Sequence, residues 1–141
     1  MGVIVRDWAG HVLAASSRRL SGVFPAVVVE AMVVRYALGL ARELGLHSVE
    51  VEGDCAEVVT ALTSHETVLT SFSLIIEDIL VDAAQFFEMV SFCHTRREGN
   101  VVAHGLARHA QNIDDFCVWM EEVPEFVRDQ YLADLYQATI S

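Results

Sequence analysis

The sequence predicts an α/β fold, a mixed β-sheet flanked by helices. Three observations predict it. Two β-branched or apolar runs flank a polar turn at the start, GVIVRDWAGHVLAASSRRL. A long apolar stretch follows, PAVVVEAMVVRYALGLARELG. Beyond it, segments that alternate every second residue are interleaved with segments that repeat at helical spacing, the pattern of strands packed against helices.

The first two strands form a hairpin around Asp7-Trp8-Ala9-Gly10, with Asp7 as a turn residue. Pro25 opens a helix over 26–44, where its fixed φ and missing N–H suit the first turn, and Gly45 is placed to close it. HSVEVEGD alternates Val49 and Val51 with Ser48, Glu50 and Glu52, a strand over 47–53. Asp54 ends that strand and begins the short helix AEVVTALTS. A polar loop then leads to SFSLIIEDILVDAAQFF, in which Leu74, Ile75, Ile79 and Phe86 recur at helical spacing. MVSFCHTRR, 89–97, reads as a strand. Asn100 to Gln111 reads as a helix with Val102, Leu106 and Ala110 on one face. The expected order is β-β-α-β-α-α-β-α. A hairpin followed by crossover helices needs a central strand for the later ones to join, so the domain is expected to begin one strand late.

With 141 residues, 53% of them hydrophobic, the chain is long enough for one domain with one core. All nine basic residues are Arg against 20 acids, a net charge of −11. An ordinary nucleic-acid binder presents a basic face, and this composition argues against one. The charge is uneven. Residues 1–110 hold thirteen acids and eight Arg, and residues 111–141 hold seven acids and one Arg. We therefore read 1–111 as the domain and 112–141 as an acidic tail. Within the tail, an amphipathic helix over 125–137 is expected to dock on the domain or on a protein partner.

The apolar run from Phe24 to Ala41 is short and interrupted by Glu30 and Arg35, which speaks for a soluble protein and against a membrane span. No secretory leader is visible. Cys55, Cys93 and Cys117 are dispersed and odd in number, as reduced thiols of an intracellular protein are, with nothing to choose between nucleus and cytoplasm.

Glu30 stands out as a carboxylate in an apolar helix with no cation three or four residues away. It is either functional or paired at a distance. Asp54-Cys55-Ala56-Glu57 has the form of a capping box, so Asp54 is a cap or a ligand. His104 alone reads as an ordinary helical histidine. Arg96 and Arg97 are placed to contact a phosphate backbone or to stand as a solvated pair, and Asn100 joins them or caps the following helix. His11, His47, His65, His94 and His109 form no pair at metal-ligand spacing, and no P-loop or GxGxxG occurs.

Together VVVEAMVVRYALGLARELG, VEVEGDCAEVV and FCHTRREGNVVAHGLARHA resemble, in order and spacing, the ribonuclease H-like domain of plant proteins related to retrotransposon reverse transcriptases. The opening hairpin is similar to that family's second and third strands, and the resemblance covers residues 2–111. It implies the type-1 ribonuclease H fold without its first strand, RNA–DNA hybrid as nucleic-acid partner, endonucleolytic hydrolysis, and Mg²⁺ (or Mn²⁺) as cofactor. Glu30 matches the family's first-helix carboxylate and Asp54 its strand-end carboxylate. His104 occupies the place of the last-helix Asp, and the first-strand Asp has no counterpart.

The chemistry explains the acids. Two ions about 3.5–4 Å apart stabilise the attacking and leaving oxygens, and carboxylates offset their charge. With two negative charges fewer, this chain is expected to bind metal weakly and cleave little. A catalytically degenerate interaction module, or a piece of a longer protein, is the alternative.

Overall fold

The computed structural model describes residues 1–64 and 70–140, and the side chains among them up to 135. His65, in the expected polar loop, lies outside the described residues. In chain order the elements are β1 (Gly2–Arg6), β2 (Val12–Arg18), α1 (Ala26–Glu43), β3 (Ser48–Gly53), α2 (Ala56–Thr63), α3 (Ser73–Phe86), β4 (Met89–His94), α4 (Val101–His109), β5 (Phe116–Met120) and α5 (Arg128–Ile140). This is the mixed α/β architecture expected; β5 is additional to the predicted elements, and the helix expected over 125–137 is α5, which begins at Arg128. Contacts group the chain into two compact units, Val23–Arg96 and the remainder.

In the unit formed by the two ends of the chain, β2 is the central strand of an antiparallel sheet of order β1-β2-β5. The hairpin turn is built by Asp7, whose Oδ1 accepts from the Ala9 and His11 amides at 3.0 and 2.9 Å. Gly10 takes the left-handed conformation, φ 90°, that a side chain would resist. A register shift between Val5 and Arg6 breaks the ladder there. The nearby Val12 amide donates to the Tyr131 hydroxyl at 3.0 Å, which keeps a buried backbone donor satisfied.

Val12, Ala15, Val102, Leu106, Val123, Val127 and Tyr131 make this unit's core, with Ile4, Trp119 and Leu135 packed against it. The segment beyond Met120 thus supplies core residues. Gly2 lets β1 approach α4 closely, because a Cβ there would run into the backbone of Ala103 and Ala107. Ser17 Oγ donates to the Leu106 carbonyl at 2.6 Å.

The continuous unit holds the parallel pair β3–β4 and the helices α1, α2 and α3. α1 begins behind Pro25 and ends as expected. Gly45 has φ 75°, its amide donates to the Arg42 carbonyl at 2.9 Å, and the Leu46 amide donates to Ala41 at 3.1 Å. These two bonds form a Schellman stop. Val28, Ala31, Leu38, Val58, Leu62, Ile76 and Ile79 lie in the core, flanked by Val49, Val51 and Phe92 from the strands.

Three local expectations need correction. In α3 the buried stripe is Ile76 and Ile79, while Leu74 is 75% exposed, so the inward face is displaced from Leu74. The strand expected over 89–97 stops at His94. The Thr95 amide makes one more bond, to the Gly53 carbonyl at 2.9 Å; β3 then offers no further partner, and Arg97–Asn100 turn into a 3-10 helix. α4 likewise ends at His109, with Ala110–Asn112 in 3-10 conformation. Among the described residues no helix is long and apolar enough to cross a membrane.

Candidate functional site

Glu30 lies on the second turn of α1 and is half-buried. It lines a recess with Val34 one turn on, Val51 and Gly53 of β3, Cys55, three residues of α2 and Phe92 of β4. The β-strand period puts Val51 and Gly53 on the face turned to this recess. Asp54, half-buried, follows Gly53 and precedes Cys55, so the recess wall contains both of its chain neighbours. The interior admits about 10 Å³, room for roughly one water-sized species and for no organic ligand.

Asp54 does not occupy the N-cap position that the D-x-x-E pattern suggests. Cys55 occupies the N-cap of α2, without a side-chain cap bond of its own, and Asp54 stands one residue before it. The Asp54 carbonyl lies 3.3 Å from His94 Nε2. Arg35, the nearest cation to Glu30 along α1, is paired with Asp78 of α3 at 3.2 Å.

The other face of β3 carries a grouping that linear spacing did not reveal. Glu50 and Glu52 are exposed on it, and the parallel register sets Cys93 of β4 opposite Glu52. Donor atoms of Glu50, Glu52 and Cys93 all lie within 4.8 Å of one another. Partial burial raises the Cys93 thiol above its ordinary pKa; the charges of Glu50 and Glu52 and a hydrogen bond with Glu50 push it in the same direction. The sequence signal was there in Glu50-Val51-Glu52, but the partner strand supplies the thiol.

In the other unit, His104 lies half-buried on α4 and lines an open groove of about 380 Å³ with Arg97, Val101, Ala107, Arg108 and Gln111. Residues 97, 101, 104, 108 and 111 follow the three-and-four spacing of one helical stripe. Arg97 and His104 are thus brought together. Arg96 is exposed at the end of the continuous unit, and Asn100 occupies the N-cap of α4 without a side-chain cap bond. Arg108 and Gln111 were missed by sequence reasoning, although their spacing from His104 was visible. His109, next to the groove residue Arg108, stacks on Phe126 at 4.3 Å between ring centres.

Residues 1–110 match a family model described as reverse transcriptase-like. Among solved structures, the fold is similar to ribonuclease H1 from the halophilic archaeon Halobacterium salinarum, with 22% identity, 79% of this chain and 83% of that chain covered, and a TM-score of 0.67. It is also similar to the N-terminal ribonuclease H domain of a Mycobacterium tuberculosis protein, solved as a fusion with maltose-binding protein. There the identity is 25%, the coverage 79% of this chain and 80% of that chain, and the TM-score 0.70. No curated protein matches the sequence.

Proposed function

The chain belongs to the reverse transcriptase-like family, as a ribonuclease H-like domain, and we propose that it recognises RNA–DNA hybrid with hydrolytic chemistry that is impaired. Recognition in this reading is by duplex shape, phosphates and 2′-hydroxyls. The observation that carries it is the recess shared by Glu30 and the two neighbours of Asp54, at the end of a strand and one turn into a helix. These two acids are the residues we assign to a divalent ion, with His104 as an auxiliary group on α4.

Two carboxylates are hard oxygen ligands and fit Mg²⁺ or Mn²⁺. Two negative charges fit one ion held with waters better than a pair of dications. When bound, such an ion would polarise the phosphodiester and activate water. Glu30 and Asp54 would orient it, and His104 in place of an acid supplies no carboxylate to offset its charge.

Binding without efficient cleavage is therefore the expected behaviour. A labelled hybrid incubated with Mg²⁺ or Mn²⁺ should be bound and cut slowly or not at all. Glu30→Gln should weaken Mn²⁺ binding, read by calorimetry, by about tenfold or more. Robust cleavage that Glu30→Gln abolishes would overturn the impairment. Failure to bind hybrid at all would favour the interaction-module reading, for which Phe116, Val118 and Met120, exposed along one side of β5, offer an apolar protein-facing surface in the acidic segment. The origin among plant retrotransposon-related proteins rests on the sequence resemblance, and three free cysteines support an intracellular setting.

A further inference from the structure

Acids outnumber arginines 20 to 9 in this protein, so an arginine with no acidic partner is conspicuous. Arg6, Arg35 and Arg128 pair with Asp134, Asp78 and Glu125. Arg42 lies over the Phe86 ring, and Arg19 donates to the Ile113 carbonyl. Arg96, Arg97 and Arg108 are exposed and, among the described residues, make no ion pair; Arg96 belongs to the other unit, which leaves Arg97 and Arg108 in the unit of α4. Arg97 and Arg108 line the same groove, one near each end of the α4 stripe, with His104 between them and Gln111 beyond.

Counting about 2.0 Å per residue through the 3-10 turn that carries Arg97 and 1.5 Å through α4, the two arginines are separated by on the order of 18 Å. Each strand of a duplex carries one phosphate per roughly 3.4 Å of axis, so this stretch matches several consecutive phosphates. The helix C-terminus favours a cation at Arg108, but it does not account for Arg97 at the opposite end.

We infer that the α4 groove holds the phosphodiester backbone of one strand of a bound duplex. Arg97 and Arg108 neutralise phosphates, and the Gln111 amide donates to a phosphate or sugar oxygen. The inference rests on the hybrid-recognition reading and deepens it, assigning backbone grip to Arg108 and Gln111. It also gives an acidic protein a confined cationic strip on which a polyanion can be held.

The test is fluorescence anisotropy of the full chain with a labelled RNA–DNA hybrid over a salt series. The Arg97→Gln/Arg108→Gln double variant should lose at least about tenfold in affinity at 0.1 M salt, and the slope of log affinity against log salt should flatten by about two. Arg128→Gln removes a positive charge from the same unit and serves as the control. If wild type binds but the double variant keeps its slope, or Arg128→Gln flattens it equally per charge removed, the groove assignment is overturned while hybrid recognition stands. If wild type does not bind hybrid, both fall. Displacement of the hybrid by an acidic peptide of matched charge at equal concentration would assign the groove to acidic polypeptides and overturn the proposal. Both arginines are exposed, and unchanged thermal melting of the double variant will separate lost contact from lost folding.

Discussion

At Cys93, burial and two neighbouring carboxylates act in the same direction. The thiolate is disfavoured because it would be poorly solvated and would face Glu50 and Glu52. Alkylation proceeds through the thiolate, so at mildly alkaline pH Cys93 should react more slowly than an unperturbed cysteine. Glu50→Gln removes a charge and changes the hydrogen bond, and should speed modification of Cys93, followed by peptide mass spectrometry. An unchanged rate would show that the carboxylates do not act on the thiol as their geometry implies. The sign also fixes a pH dependence: a raised thiol pKa contributes stability below the ordinary cysteine range that is lost as pH rises through the folded-state value. Glu30 was visible in the sequence because an acid in an apolar helix conflicts with its neighbours. Cys93 was not, because nothing in SFCHT announces two glutamates on the adjacent strand.

Among the elements, β5 and the segment after it show how far local patterning reaches. The boundary at 111 follows a change in charge. Beyond it, β5 pairs with β2 in antiparallel register from Ala14↔Met120 to Arg18↔Phe116. Val123, Val127 and Tyr131 then pack with Val12, Ala15, Val102 and Leu106. A chain ending at Gln111 would expose β2 along one edge and remove three buried side chains from a small core. Each large side chain lost from such a core costs roughly 2–5 kcal/mol, against a total stability of about 5–15 kcal/mol. That chain should lose cooperative thermal unfolding, followed by circular dichroism, and be cut rapidly by protease. A sharp melt within a few degrees of the full chain would show the segment to be dispensable for folding. By contrast α1 was legible nearly to the residue, since Pro25 and Gly45 act on backbone geometry within one turn.

For the whole molecule the governing quantity is charge. A net −11 repels nucleic acid at a distance, and the repulsion is screened within about 8–10 Å at ordinary salt. Asp114, Asp115, Glu121 and Glu122 are exposed in the same unit as the α4 groove. Changing all four to their amides should raise the association rate for hybrid in stopped-flow measurements at low salt, by about tenfold. The gain should shrink as salt rises. A gain that survives high salt would locate those acids in direct contact instead of in the long-range field.

The hairpin, the limits of α1, the strand alternation of 47–53 and the singularity of Glu30 follow from neighbours along the chain, and the sequence alone determined them. Tertiary structure decided which distant segments share a surface. It set β5 beside β2, ended β4 where β3 ran out of partners, placed Cys93 against two glutamates, and put Glu30 in one recess with the residues on either side of Asp54. The physical reason is that caps, turns and periodicity depend on a few adjacent dihedral angles, whereas a ladder register or a recess is a choice among many long-range pairings, selected by total burial and hydrogen bonding.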